Sequence, residues 1–98
     1  MPNNKYKPDF PLLSRDVDGM PITYLDSAST TPKPRVVIDA VTRYYTEMGA
    51  NVHRGVHPLG EASTQAYERA RHAVASLIGA SPQEIVFTRN ATESFNLV

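Results

Sequence analysis

Residues 84–98 read Glu-Ile-Val-Phe-Thr-Arg-Asn-Ala-Thr-Glu-Ser-Phe-Asn-Leu-Val. Ile85, Val86 and Phe87 form a short apolar, β-rich run, residues 88–93 are polar, and Phe95, Leu97 and Val98 open a second apolar segment. The order predicts a strand, a loop and the start of a helix. The first turn of a helix leaves backbone N–H groups without partners, so a turn at Asn90, Ala91 and Thr92 can cradle an anion such as a phosphate. Capping is a second explanation of Thr92 and Glu93, because threonine is a good N-cap and acids are favoured in a first turn. On spacing alone, capping is the stronger explanation.

Moving back along the chain, Ala62, Ala66, Ala70, Ala73, Val74, Leu77 and Ile78 mark an amphipathic helix that Gly79 ends. Its alanines imply close packing, while Glu68, Arg69, Arg71 and His72 fall mostly off the apolar stripe. Before it, residues 50–60 concentrate two histidines, an arginine and two glycines. His53 and His57 alone make an incomplete metal site, so no metal is expected. Arg54 suits an anionic ligand, since a guanidinium grips carboxylate or phosphate through two hydrogen bonds, but the polarity of an ordinary surface loop explains it as well. An earlier helix is written in Val37, Ala40, Val41, Tyr44, Tyr45 and Met48, with Pro34 suited to its first turn and Gly49 to its stop. Asp39, Arg43 and Glu47 give it a solvated charged face.

Residues 22–25 form a second short β-rich run, and residues 27–32 are a loop of small hydroxyl side chains that reads as a connector. Residues 1–21 are polar and proline-spaced, an arm that Leu12 and Leu13 pin down. Asp16, Asp18 and Gly19 resemble part of a calcium loop, but the glycine comes too early, and the stretch reads as an Asp-Gly turn. The domain proper is expected over residues 22–98. A long helix leading to a strand and directly to another helix is how an α/β layer begins.

Ten basic and ten acidic side chains cancel, and with no basic stripe the charge pattern gives no reason to expect nucleic acid or an acidic membrane as partner. The absence of cysteine removes disulfides, thiolate metal sites and a thiol nucleophile from these residues. No run approaches the ~20 apolar residues of a membrane helix, and the N-terminus lacks the apolar core of a secretion signal, so a cytoplasmic location is the expectation.

Three stretches, residues 24–34, 51–57 and 87–97, together with Tyr67-Glu-Arg-Ala-Arg71 between them, resemble in order and spacing the N-terminal quarter of class V aminotransferase-fold enzymes, specifically cysteine desulfurases of the SufS and CsdA type. The resemblance implies the first, incomplete part of a fold type I, pyridoxal 5′-phosphate-dependent α/β domain. It implies that Thr92 binds the cofactor phosphate with Asn90 and Ala91 lining the turn, which reverses the preference for capping. Where the family usually reads Arg-Gly-Thr-Thr-Glu, this chain reads Arg-Asn-Ala-Thr-Glu. Asn90 thus replaces a glycine at a turn where a left-handed backbone is expected to be tolerated. Ala28 and Ser29 resemble the backbone wall beside the substrate, and His53 and Arg54 fall on a loop near the dimer interface and active-site mouth.

The activity so implied is removal of sulfur from L-cysteine, giving alanine and an enzyme persulfide for iron–sulfur cluster assembly, in a homodimer that passes sulfur to an acceptor protein. A Schiff-base lysine and a cysteine carry that chemistry in the family; here the lysines are Lys5, Lys7 and Lys33, all outside the family's position, and there is no cysteine. The 98 residues are therefore expected to be an N-terminal segment, inactive alone. Selenocysteine lyase or another class V enzyme is an alternative, and a non-catalytic chain that docks on a full-length subunit is a third.

Overall fold

The computed structural model describes residues 4–98, so the first three residues of the expected arm lie outside the described range. The chain divides into two compact units, one ending at Glu47 and one formed by Met48–Val98.

In the first unit, two single turns of 3-10 helix, Lys7–Asp9 and Pro11–Ser14, each carry a proline in their opening positions. Proline fixes φ and needs no N–H partner there, which favours these short turns. A two-residue hairpin follows: β1 (Asp16–Val17) pairs antiparallel with β2 (Met20–Pro21), Val17 opposite Met20. Asp18 and Gly19 between them have φ of 52° and 77°, the left-handed pair that closes a tight hairpin, so the expected Asp-Gly turn is present. The run at residues 22–25, expected as a strand, is not one. Only the Ile22 amide continues the ladder, donating to the Arg15 carbonyl at 3.3 Å, and a strand without a partner has no ladder to hold it. Phe10 and Leu13 line a cavity of about 190 Å³ with Tyr24 and Pro32, whereas Leu12 is exposed; Leu13 alone of the two leucines pins this stretch.

Helix α1 (Arg35–Arg43) starts one residue later than its composition implies. Pro34 is its N-cap, extended at φ −69° and ψ 156°, with its carbonyl accepting from the Val37 and Ile38 amides. The helix widens into a π turn at Tyr44–Met48 and stops at Gly49, whose φ is 38°. Its apolar residues stay largely exposed, Val36 and Tyr45 most of all.

The second unit is built on α2 (Pro58–Ile78), which begins four residues before Ala62, where the alanine pattern starts. Pro58 takes the first helical position and His57 is the cap, its Nδ1 accepting from the Gly60 amide at 3.3 Å. At the other end Gly79 adopts φ 72° and ψ 26°, and the Ala80 amide returns to the Ala75 carbonyl at 2.9 Å. A 3-10 turn at Pro82–Glu84 follows, residues 85–87 have no regular structure, and α3 (Ala91–Leu97) begins after a bend. Of the expected strand at residues 85–87, Ile85 is extended at φ −93° and ψ 122°, but no described strand pairs with the run to make a ladder.

The face of α2 that packs is not the alanine–leucine stripe. Leu77 and Ile78 are exposed, whereas Gly60, Ser63 and Ala75 are buried and Tyr67 and Arg71 are half-buried, spaced by three or four residues along one side. Ile85, 8% exposed, packs into the same core. Burial of a side chain of this size stabilises by about 1.5–3 kcal/mol, so a core this small leaves the segment marginal. Ser63 Oγ is buried with no partner among the described residues, and nothing in the structure explains it.

Candidate functional site

The polar loop after residues 85–87 is held by a closed set of local bonds. Asn90, extended at φ −167° and ψ 172°, caps α3 through its Oδ1, which accepts from the Glu93 amide at 2.8 Å. Glu93 turns its carboxylate back to Arg89, accepting from the backbone amide at 2.7 Å and from Nε at 3.1 Å. The Arg89 amide, and after it the Arg89 side chain, hold the Glu93 carboxyl below the ordinary glutamate range. Thr88 Oγ1 and Ser94 Oγ meet at 2.7 Å, and Ser94 Oγ also donates to the Asn90 carbonyl at 3.2 Å, tying the loop to the helix it opens.

Of the two explanations of Thr92, the geometry bears on capping. Capping is real, but Asn90 performs it, and Thr92 sits at the second helical position. Its hydroxyl donates to no acceptor among the described residues, and neither do the amides of Ala91 and Thr92. Three neutral donors therefore stand together on an exposed turn, while the nearby carboxylate is taken up by Arg89. That donor set suits an anion with several acceptor oxygens, such as a phosphate. The left-handed backbone anticipated for Asn90 is absent. Extended backbone is open to any residue, so replacing glycine there costs no strain.

His53 and Arg54 lie on the loop before α2. His53 has φ 61°, unusual for a residue with a Cβ, and is fixed by its amide donating to Thr64 Oγ1 at 2.9 Å and by its Nε2 meeting Glu68 Oε1 at 3.1 Å. Arg54, in contrast, has no hydrogen-bond or ion-pair partner among the described residues and lines an open cavity of about 470 Å³ with Asn51, Val56, His57 and Leu59. His57 Nδ1 serves the helix cap. The loop can take this path because Gly55 and Gly60 cross closely: a Cβ on Gly60 would stand 2.7 Å from the Gly55 Cα.

In the first unit, Ala28 and Ser29 fall in an exposed turn. The loop around it is more than a connector. Tyr24 Oη donates to the Asp26 carbonyl at 2.9 Å and closes on that of Thr30, and Thr31 Oγ1 donates to the Ser27 carbonyl at 3.1 Å.

Glu68 and Arg71, which the apolar pattern relegates to the surface, are instead half-buried. Glu68 Oε2 accepts from Arg71 Nε at 3.0 Å, and Arg71 also bonds the Ile85 carbonyl. Its guanidinium lies 5.3 Å from the ring centroids of both Tyr67 and Phe87, whose rings meet edge to face at 5.1 Å. The signal available in the sequence was the i, i+3 spacing of an acid and an arginine next to a tyrosine.

The sequence model of the family described as aminotransferase class-V matches residues 23–98. The chain belongs to this family. Among class-V relatives, a Synechocystis protein named probable cysteine desulfurase is 53% identical over 91 residues, covering 92% of this chain and 22% of its own length. A Yersinia pestis cysteine desulfurase is 48% identical over 98 residues, covering 99% of this chain and 24% of its own. The apo structure of cysteine desulfurase from Thermococcus onnurineus superposes with a TM-score of 0.73 at 47% identity, over 78% of this chain and 19% of that one. The chain thus spans about a fifth of the length of the curated relatives it matches, 22% for the Synechocystis protein. The fold is an N-terminal part of the class-V, fold type I architecture, in a family whose members are generally pyridoxal phosphate-dependent. Among the described residues no helix is long and apolar enough to cross a membrane.

Proposed function

We propose that this chain forms the phosphate-binding turn of a pyridoxal 5′-phosphate-dependent cysteine desulfurase, with Thr92 Oγ1 and the amides of Ala91 and Thr92 as donors and Asn90 as the residue that shapes the turn. The observation that carries the reading is the division of labour at α3: because Asn90 caps the helix, the Thr92 hydroxyl is left for a ligand. When bound, the cofactor supplies an electron sink for deprotonating an amino-acid substrate. The residues here bind and orient it. Ala28 and Ser29 form part of the wall beside L-cysteine, and His53 and Arg54 support the mouth of the site, Arg54 offering a guanidinium to a carboxylate or phosphate.

The same reading places the protein in a cytoplasmic homodimer that hands sulfur to an acceptor protein for iron–sulfur cluster assembly. The Schiff-base lysine and the persulfide-carrying cysteine come from outside these 98 residues, which contain only Lys5, Lys7 and Lys33 and no cysteine. A second reading, a chain that docks on a full-length class-V subunit without catalysis of its own, is favoured by the exposed apolar side chains of Leu77, Phe95 and Leu97.

The test uses pyridoxine 5′-phosphate and pyridoxine, which carry no aldehyde and so cannot react with the surface lysines. In equilibrium dialysis the chain retains the phosphorylated compound in preference to the other. Thr92→Ala lowers that affinity by about tenfold, the lower end expected for a hydrogen bond to a charged group because the site is exposed, and Thr92→Ser keeps it. Equal retention of both compounds, or indifference to Thr92→Ala, refutes the assignment. Incubation of the 98-residue chain with pyridoxal phosphate and L-cysteine yields no alanine.

A further inference from the structure

Three separate parts of the second unit meet at one side chain. Glu68, on α2, uses its two carboxylate oxygens on different partners: Oε1 meets His53 Nε2 at 3.1 Å on the loop that carries Arg54, and Oε2 accepts from Arg71 Nε at 3.0 Å. Arg71 then bonds the Ile85 carbonyl and covers Phe87, at the base of the segment that leads to Asn90 and Thr92. The rings follow the same path, His53 edge-on to Tyr67 at 6.0 Å and Tyr67 edge-on to Phe87 at 5.1 Å. A salt bridge on a helix surface would need none of this. An exposed i, i+3 pair contributes little, yet here the pair is half-buried and each member has a further contact outside the helix.

We propose that Glu68 is a positioning residue that couples the Arg54 loop to the Thr92 turn, acting through His53 on one side and Arg71 on the other. The loop has reason to need such a tether. His53 stands in a left-handed backbone, a conformation that persists only where the surroundings enforce it, and two contacts do so, the Thr64 hydroxyl on its amide and Glu68 on its ring. The Thr92 turn likewise follows a segment that makes no ladder with any described strand, so the bond from Arg71 to Ile85, with the packing of Phe87 on Tyr67 and Arg71, attaches it to α2. Glu68 has charge and geometry to serve both, because each oxygen accepts from one donor and neither donor must be shared. The consequence is that moving one anion-facing element changes the other: Arg54 and Thr92 present their donors in a fixed relation set by Glu68. The role given to these two residues as ligand donors rests on the proposed function; the coupling itself does not.

The test is a mutant cycle read by amide chemical shifts on the isotope-labelled 98-residue chain. Arg71→Lys moves the His53 and Arg54 amides, although Arg71 touches neither. In the Glu68→Gln background, where the carboxylate link is gone, the same Arg71→Lys substitution no longer moves them. If Arg71 merely packed the core, it would move them equally in both backgrounds, and that result overturns the proposal. Glu68→Asp, which keeps the charge but shortens the reach, gives an intermediate response if the link is the carboxylate, and none distinct from Glu68→Gln if it is not. A chain whose amide spectrum lacks dispersion overturns the proposal too, since the network would then not exist in it. Adding pyridoxine 5′-phosphate separates the two ideas. Coupling present with no ligand shift at Ala91 and Thr92 rejects the cofactor reading alone, and ligand shifts without coupling reject the role of Glu68 alone.

Discussion

Asn90→Ala offers a direct measure of how the turn before α3 is built. The substitution removes the Oδ1 that accepts from the Glu93 amide at 2.8 Å and leaves the rest of the turn in place, since its backbone at φ −167° and ψ 172° suits alanine. Loss of an N-cap of this type costs about 1 kcal/mol, whereas glycine at the same position costs only a few tenths. A helix of seven residues with exposed Phe95 and Leu97 has little else to hold it. The whole cost therefore falls on local opening, and 1 kcal/mol corresponds to roughly a fivefold rise in the open population. Fast amide-exchange measurements on the labelled chain read this at Glu93 and Ser94. At Ser94, whose amide donates to the Asn90 backbone carbonyl, Asn90→Ala accelerates exchange about fivefold and Asn90→Gly far less, while the Glu93 amide loses its acceptor in both; Thr92→Ala leaves both amides nearly unchanged because Thr92 is not the cap. Were Thr92→Ala to expose the Glu93 amide as much as Asn90→Ala does, the division of labour between cap and ligand donor would be wrong, and the Thr92 assignment would fall with it.

Acid affects the same turn. The Glu93 carboxyl is held below its ordinary value by the Arg89 amide and side chain, so its contribution is fully present above that ordinary value and is lost as pH falls through the lowered one. Protection of the Arg89 amide follows this course, and Glu93→Gln abolishes the pH dependence. Glu84, lowered by the Ser81 amide and then the Ser81 hydroxyl, gives a parallel loss at the Ser81 amide. Two glycine substitutions separate crowding from backbone strain in thermal melts. Gly60→Ala sets a Cβ 2.7 Å from backbone and destabilises by about 1–3 kcal/mol, relieved by no change of residue larger than glycine. Gly79→Ala meets no atom within 4 Å yet costs about 1–2 kcal/mol for its left-handed φ of 72°, and Gly79→Asn recovers part of it.

Local signals carried much of the fold. The Asp18-Gly19 turn, the stop at Gly79 and the existence of α1 and α2 follow from residues that act on their own backbone, through permitted φ values and short-range periodicity. The start of α2 was obscured because Gly60, a poor helix former, sits in its first turn; the capping ring of His57 and the close crossing with Gly55 are both invisible to a pattern of apolar residues. The runs at residues 22–25 and 85–87 were legible as β-rich, but a strand is completed by its neighbour, and beyond the one bond from Ile22 no described segment pairs with either.

Residues 84–98 show the same boundary at the candidate site. The sequence by itself determined that a polar loop would meet a helix start there, and that Thr92 had two competing uses, because hydroxyls and acids at a first turn have few favourable roles. Which residue caps the helix was decided by the folded backbone. Asn90, with its backbone extended, sets its Oδ1 on the Glu93 amide, and the Thr92 hydroxyl has no acceptor among the described residues. The burial of Glu68 and Arg71 likewise depends on Phe87 and Ile85, at least fourteen residues on, folding back over α2. Spacing along one helix reports which side chains share a face, and it cannot report which face the rest of the chain will cover.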